Sequence, residues 1–207
     1  MKKYTLIITE KPDAANRIAM ALDKNGKTTR ATEQGVPYFL AENKGEIIVA
    51  SALGHLYTVA EAKKSQWTYP VFDYQWVPRF LAEKGASKIR TWLKVIAKLA
   101  ENAEVSIDAC DYDIEGSIIG YSILKYACGN KEKTAKRMKY STLTKEELQG
   151  SFSNLLPQLD FALIEAGLAR HEVDWLYGIN LSRALTLAAK NVSGQYATLS
   201  TGRVQGP

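Results

Sequence analysis

The stretch that decides the fold is "SIDACDYDIEGSIIGYS", Ser106 to Ser122, in which an apolar run ends in three carboxylates at alternate positions. The residues "EVSIDA" (104–109), which lead into the carboxylates, are typical of a strand, and a helix is predicted from about Gly116 onward. Side chains at i, i+2 and i+4 of an extended segment point to one side, so Asp111, Asp113 and Glu115 can converge. Carboxylates this close repel one another unless a cation or a proton lies among them. The stretch therefore predicts a ligand site at the carboxyl end of a strand.

Upstream of this stretch, strand and helix patterns alternate. Strands are predicted at "YTLIIT" (residues 4–9), at 37–41 and at 46–51, and helices are predicted from Pro12 and over 89–100. The aromatic region 57–83 has no clear period and is interpreted as a long loop or an irregular excursion. Alternation of this kind predicts an α/β fold, a Rossmann-like domain over residues 1–150 with a mainly parallel sheet covered on both faces.

After Pro157 the pattern changes to a single helical period that runs from Asp160 to Lys190. We therefore predict a second, mostly helical segment over residues 151–207 that forms only part of a further domain.

Composition indicates a globular chain. It has 46% hydrophobic and 24% charged residues, and no apolar run approaches the roughly 18 residues of a membrane span. The two cysteines, Cys110 and Cys128, fit no metal-binding spacing, which favours buried thiols in a reducing cytoplasm. The net charge of +5 suits a polyanionic partner such as nucleic acid, although solvated lysines give the same value.

The acidic turn offers only oxygen ligands, which suit a hard cation such as Mg²⁺. Gly116 is expected to let the backbone turn sharply into a helix whose amides could face an anion. Three other interpretations remain open. An EF-hand loop would place Ser122 at its twelfth position, a phosphatase with an aspartyl nucleophile would carry its D-x-D on the first strand, and a solvated acidic turn needs no ligand.

Two more candidate sites follow predicted strands and should lie at the same edge of the sheet. Glu10 could act as a general acid or base, and Lys11 could neutralise a phosphoryl oxygen. His55 follows Gly54 and could be structural or a ligand. Trp67 and Trp76, in the aromatic region, could stack on bases, although packing onto the domain is the more ordinary role.

Taken together, "IITEKPDAANRIA", "ASALGHLY" and "DACDYDIEGSIIGY" resemble the Toprim domain of type IA DNA topoisomerases. The stretches "ARHEVDWLYGINLSRAL" and "LSTGRVQGP" resemble the beginning of domain IV in those enzymes. The spelling "DYDIEGS" is similar to that of the archaeal branch.

The resemblance implies a role for individual residues. Asp111, Asp113 and Glu115 would hold Mg²⁺, Glu10 would lie at the metal and the scissile phosphate, and Lys11 would stabilise that phosphate. Residues implied at the DNA are His55, Arg137, Arg170, Asp174, Arg203 and Gln205. The implied partner is single-stranded or negatively supercoiled DNA, and the implied location is the cytoplasm at the nucleoid.

The sequence also departs from the family pattern. Ile114 and Ser117 stand where relatives carry an arginine and an acidic residue, and His171 stands where many have a second arginine. The family's nucleophilic tyrosine lies in a Y-x-R-T stretch, which the 207 residues do not contain. The resemblance therefore implies an N-terminal fragment that cannot relax DNA alone, and a first strand so near Met1 disfavours an upstream helicase. Another Toprim enzyme, such as a primase or nuclease, or a non-catalytic nucleic-acid-binding module are the alternatives.

Overall fold

The computed structural model describes residues 3–63 and 68–202. Within those ranges eight strands and six α-helices follow one another along the chain. They are β1 (Tyr4–Thr9), α1 (Pro12–Leu22), β2 (Thr29–Glu33), β3 (Val36–Glu42), β4 (Glu46–Ser51), β5 (Tyr57–Glu61), β6 (Tyr74–Pro78), α2 (Arg79–Ala82), α3 (Ser87–Glu101), β7 (Ala103–Asp108), α4 (Ile114–Ser122), β8 (Lys136–Arg137), α5 (Lys145–Ser153) and α6 (Phe161–Ser193).

Six strands form one sheet in the order β2-β3-β4-β1-β7-β8. Strand β1 runs parallel to β4 and to β7, and β7 runs parallel to β8. Strand β3 runs antiparallel to both of its neighbours, β2 and β4. Ile8 lies opposite Ala50 of β4 and opposite Asp108 of β7. The prediction of an α/β fold with a mainly parallel sheet is confirmed, and the carboxyl ends of β1, β4 and β7 come level at one edge.

The core lies between this sheet and the helices on its faces. Ile7, Val49 and Ile107 of the central strands pack with Ile18 and Leu22 of α1, all at most 2% exposed. Residues of β1 that point the other way, such as Leu6 and Ile8, are also fully buried. Both faces of the sheet are therefore covered, as predicted.

The chain divides into two compact units, residues 1–57 with 78–167 and residues 58–77 with 168–207. The first unit contains the six-stranded sheet. The prediction of a long loop over 57–83 is wrong, because this region holds β5 and β6, which pair in a two-stranded sheet, and α2. Tyr57, Tyr74 and Trp76 are strand residues, but a five-residue strand is too short to give a clear alternation.

The long helical period is confirmed by α6, which continues for 33 residues. Asp160 precedes it and accepts a hydrogen bond from the Leu163 amide through Oδ1 at 3.1 Å, which caps the helix start. Helix α4 begins at Ile114 and passes into a π-helical turn at Ile123–Ala127. Among the described helices, none is long and apolar enough to cross a membrane.

Candidate functional site

Three loops leave the carboxyl ends of β1, β4 and β7, and backbone hydrogen bonds hold their first residues together. The Ala52 amide donates to the Thr9 carbonyl at 2.8 Å, and the Ala109 amide donates to the Ile8 carbonyl at 2.8 Å. The sheet register thus extends one step into each loop. Open α/β sheets bind ligands at the edge where their parallel strands end, beside the central strand from which the strand order runs outward in both directions.

The side chains of the first and third loops meet at Lys11. Its Nζ lies 2.9 Å from Glu10 Oε1 and 3.3 Å from Asp111 Oδ2. The hydrogen bond and charge of Glu10, followed by those of Asp111, raise the pKa of Lys11. Two carboxylates from the loops after different strands therefore share one cation at this edge. The Lys11 side chain is 62% exposed, so that solvent and ligands can reach the pair.

Asp113 links the acidic turn to α4. Its Oδ1 accepts a hydrogen bond from the Gly116 amide at 2.7 Å, which is a side-chain cap of the helix. A Cβ on Gly116 would overlap the Asp111 carbonyl. The glycine is thus needed because the helix approaches the turn closely, and it has no positive φ.

Glu115 is directed to the second loop, where His55 Nε2 lies 2.9 Å from its Oε2. The three carboxylates of the turn therefore have different partners: an ammonium, a helix amide and an imidazole. We call Glu10, Lys11 and these three carboxylates the sheet-edge site.

The start of α4 at Ile114 excludes the EF-hand interpretation. An EF-hand needs a continuous twelve-residue loop from its first aspartate. Here the loop ends after three residues, and the segment before it is the strand β7.

Beneath the acidic turn, Arg137 is 1% exposed and its guanidinium is wholly engaged. It donates four hydrogen bonds of 2.8–3.0 Å to the carbonyls of Asp108, Cys110, Asp111 and Met138. Its Nε also lies 3.7 Å from Asp108 Oδ2. Such burial does not support a direct contact of Arg137 with DNA. The side chain instead fixes the backbone of the turn.

Asp108 is the counterpart of Arg137 and was missed by sequence reasoning. It is 1% exposed, and burial raises the pKa of its carboxyl while the charge of Arg137 and the Cys110 amide lower it. A Cβ on Gly120 of α4 would overlap the Asp108 carboxylate. Two sequence features could have indicated this buried carboxylate: an aspartate near the end of the strand "EVSIDA", and a second glycine, Gly120, four residues after Gly116.

A cleft of about 570 Å³ lies beside the acidic turn. On its wall, Lys139 Nζ lies 3.9 Å from the centre of the Tyr112 ring, and the Tyr112 hydroxyl donates to Asp160 Oδ2 at 3.0 Å. The cleft is lined by Asp111, Tyr112, Asp113, Lys139, Tyr140, Ser141, Thr142 and Leu143. Sequence reasoning gave no role to Tyr112 or Lys139.

In the second unit, Arg170 and Asp174 lie one turn apart on α6. Arg170 Nε is 3.9 Å from Asp174 Oδ2, and both side chains are more than a third exposed. Asp174 also borders a cavity of about 420 Å³ along the helix. The structure thus brings these two predicted residues together on one face of α6.

The aromatic strand β6 packs on the same helix. Glu172 accepts hydrogen bonds from the Tyr74 hydroxyl at 2.7 Å and from Trp76 Nε1 at 2.9 Å. Trp76 therefore packs against α6 within the second unit. Three other residues considered from sequence, Trp67, Arg203 and Gln205, lie outside the described residues.

Two family models match the chain. The Toprim domain model covers residues 5–143, and the model described as DNA topoisomerase covers residues 158–207. The sheet-edge site lies wholly within the first match, whereas Arg170 and Asp174 lie within the second.

Several proteins are similar to this chain. DNA topoisomerase 1 from Pyrococcus horikoshii is 50% identical over 98% of the chain and 29% of the relative. The protein of that name from Methanocaldococcus jannaschii is 47% identical over 98% and 26%, and DNA topoisomerase 3 from Staphylococcus haemolyticus is 32% identical over 98% and 27%. The chain thus spans less than a third of the length of these relatives. The resemblance to the archaeal branch is confirmed.

The fold has a match among solved structures. Full-length topoisomerase I from Thermotoga maritima superposes with a TM-score of 0.57 at 21% identity, over 87% of this chain and 26% of that one. This likeness supports the fold alone. From the Toprim match over two thirds of its residues, the chain belongs to the Toprim domain family.

Proposed function

We propose that this chain is the metal-binding Toprim region, with the beginning of the adjoining helical domain, of a type IA DNA topoisomerase that cleaves and reseals one DNA strand. The observation that carries the proposal is the meeting of Glu10 and Asp111 around one positive charge at the edge where parallel strands end. The matched DNA topoisomerase model and the names of the relatives favour this reaction over that of a primase or nuclease. The boundary between the two regions is proposed near residue 150.

The residues present fit Mg²⁺. The donor set is entirely oxygen, and Lys11 already places a cationic group between two of its carboxylates. Asp111 and Asp113 would hold the ion, with Glu115 and Glu10 beside them. When bound, the ion would supply neutralisation of charge on a phosphoryl oxygen.

Glu10 and Lys11 are proposed to act on the scissile phosphate. The Glu10 side chain is only 13% exposed, and it would serve as the general acid or base at that phosphate. The Lys11 ammonium can leave Asp111 and donate to a non-bridging phosphate oxygen. His55 orients Glu115 through their hydrogen bond.

DNA is the proposed partner, in single-stranded or negatively supercoiled form. Arg170 and Asp174 would contact an unpaired strand, with Arg203, Gln205 and His55 as further contacts. The attacking tyrosine would come from the remaining domains of the parent chain, since the 207 residues contain no Y-x-R-T stretch. We propose that the parent enzyme lies in the cytoplasm at the nucleoid, where the thiols of Cys110 and Cys128 would stay reduced.

The test is Mg²⁺ binding by the 207-residue protein, measured by isothermal titration calorimetry. Asp111→Asn with Asp113→Asn should abolish the binding isotherm, because it removes both of the proposed principal ligands. The matched control, Asp13→Asn with Asp73→Asn, removes the same charge at exposed positions outside the site and should retain binding. Unchanged Mg²⁺ binding in the first variant would refute the metal assignment, and relaxation of supercoiled plasmid by the 207-residue protein would refute the assignment of the nucleophile.

A further inference from the structure

The excess positive charge of the chain is concentrated in one short region. Residues 79–102 carry six lysines and arginines against two glutamates, a net charge of +4, while the whole chain carries +5. None of the residues assigned above to metal or DNA lies in this region. The region comprises α2, α3 and the turn between them.

These charges lie mostly on the outward side of α3. The opposite side of the helix is buried through residues such as Ile89, Leu93 and Ile96. Spacing of four residues places Arg90, Lys94 and Lys98 in one line along the exposed side. We call these three, together with Lys84 and Lys88 at the amino-terminal end, the basic stripe; all five are exposed.

Most of this charge is available to a ligand. Lys98 pairs with Glu33 at 2.6 Å, and Arg90 lies 5.0 Å from the centre of the Phe80 ring. Across residues 3–63 and 68–202, no carboxylate forms an ion pair with Lys84, Lys88 or Lys94. Clustered cations with no counter-charge raise the local positive potential and attract polyanions.

The direction of α3 brings one end of the stripe to the sheet-edge site. Near the carboxyl end of the helix, the Leu99 carbonyl accepts from the hydroxyl of Tyr4, the first residue of β1, at 2.6 Å. Near its amino end, Trp92 Nε1 donates to the carbonyl of Ser51, the last residue of β4, at 3.0 Å. Lys84, Lys88 and Arg90 therefore lie toward the edge where β1, β4 and β7 end, and the side chain of Lys98 reaches Glu33, the last residue of β2.

We propose that the basic stripe binds the phosphate backbone of a double-stranded DNA segment, guiding it along α3 toward the sheet-edge site; this rests on the proposed function in taking DNA as the substrate. From Lys88 to Lys98 the helix rises about 15 Å, the axial length of roughly four phosphates on one strand. Surfaces for single strands combine cations with aromatic platforms for the bases. No aromatic residue stands in the line of Arg90, Lys94 and Lys98, and the Phe80 ring beside it is already paired with the Arg90 guanidinium, so the stripe suits a duplex whose bases are stacked inside.

The test is fluorescence anisotropy with a labelled 30-base-pair duplex, in EDTA, from 50 to 200 mM KCl. Lys88→Gln, Arg90→Gln and Lys94→Gln together should lower the slope of log K against log salt by about 2.7, at ~0.9 for each phosphate that the variant no longer neutralises. The matched control, Lys27→Gln with Lys133→Gln and Lys145→Gln, removes the same charge from exposed positions outside α3 and should keep the wild-type slope. Circular dichroism checks that both variants are folded.

Equal slopes for the two triple variants would overturn the proposal, since total charge alone would then govern binding. It would also be overturned if the stripe variant had a weaker affinity for a 30-nucleotide single strand and kept its affinity for the duplex. Mg²⁺ binding separates this failure from failure of the proposed function. The stripe variant should bind Mg²⁺ like the wild type, and Asp111→Asn with Asp113→Asn should bind duplex like the wild type in EDTA.

Discussion

Replacing Arg137 by methionine should destabilise the protein by about 3–5 kcal/mol, the range for removing one partner of a buried ion pair. The substitution leaves the 1%-exposed Asp108 without its counter-charge and leaves the carbonyls of Cys110 and Asp111 without their donors. Single domains are stable by only about 5–15 kcal/mol, so the loss is a large part of the total. Urea unfolding followed by tryptophan fluorescence measures it.

The adjacent residue gives a matched control. Lys136 is exposed in the same short strand, so Lys136→Met should change stability by no more than about 0.5 kcal/mol. A loss below about 1 kcal/mol for Arg137→Met, or an equal loss for both variants, would refute the argument that Arg137 supports the acidic turn.

The same variant has a predicted pH dependence. Burial already raises the pKa of Asp108 above the ordinary value of 3.8, and the variant loses the opposing effect of Arg137. Between the unfolded and the raised folded pKa, the folded state binds more protons than the unfolded state, so this carboxyl makes stability fall as pH rises through that window. The deficit of Arg137→Met relative to the wild type should therefore be smaller near pH 4.5 than at pH 7. A deficit that grows on acidification would contradict this.

Two further predictions concern the packing around the turn and the thiols. Gly120→Ala should lower the free energy of unfolding in urea by about 1–3 kcal/mol or more, because its methyl group would overlap the Asp108 carboxylate. The control Gly150→Ala lies in α5 with nothing within 4 Å, so it should be neutral or stabilising by up to about 1 kcal/mol. Equal effects of the two variants would refute the close approach of α4. Burial raises the pKa of Cys128 to about 12 and that of Cys110 well above its usual value, so neither thiol should react with Ellman's reagent at pH 8 until urea unfolds the protein, and rapid reaction of the folded protein would contradict their burial.

Much of the sheet-edge site can be predicted from the sequence, because the carboxyl ends of parallel strands lie at the same edge of a sheet. "YTLIIT" and "EVSIDA" are recognisable as buried strands, and their carboxyl ends must lie at one edge if they are parallel. That places Glu10 near Asp111 without knowledge of any distance. The structure adds that Lys11 lies between them.

Other features depended on contacts that no local pattern reveals. Strand β2, "TRATE", is mostly exposed at the sheet edge and has no apolar alternation to detect. The burial of Arg137 requires β8 to lie next to β7, which only the tertiary arrangement shows. The hydrogen bond between Glu115 and His55 joins positions 60 residues apart. The position of both residues after strand ends predicts that they lie at the same edge, but it does not predict that they pair with each other.

The buried layer beneath the turn also determines which atoms remain for a metal ion. Arg137 draws the carbonyls of Cys110 and Asp111 inward, and α4 places the Gly116 amide on Asp113 Oδ1. These two carbonyl oxygens are thereby engaged by Arg137, and the Asp111 and Asp113 side chains line the cleft beside the turn. A cation with few protein ligands keeps several waters, and those are the positions that phosphate oxygens can take. The inward pull of Arg137 thus fits the proposed Mg²⁺ site, in which the ion would have few protein ligands and would share its other positions with a phosphate.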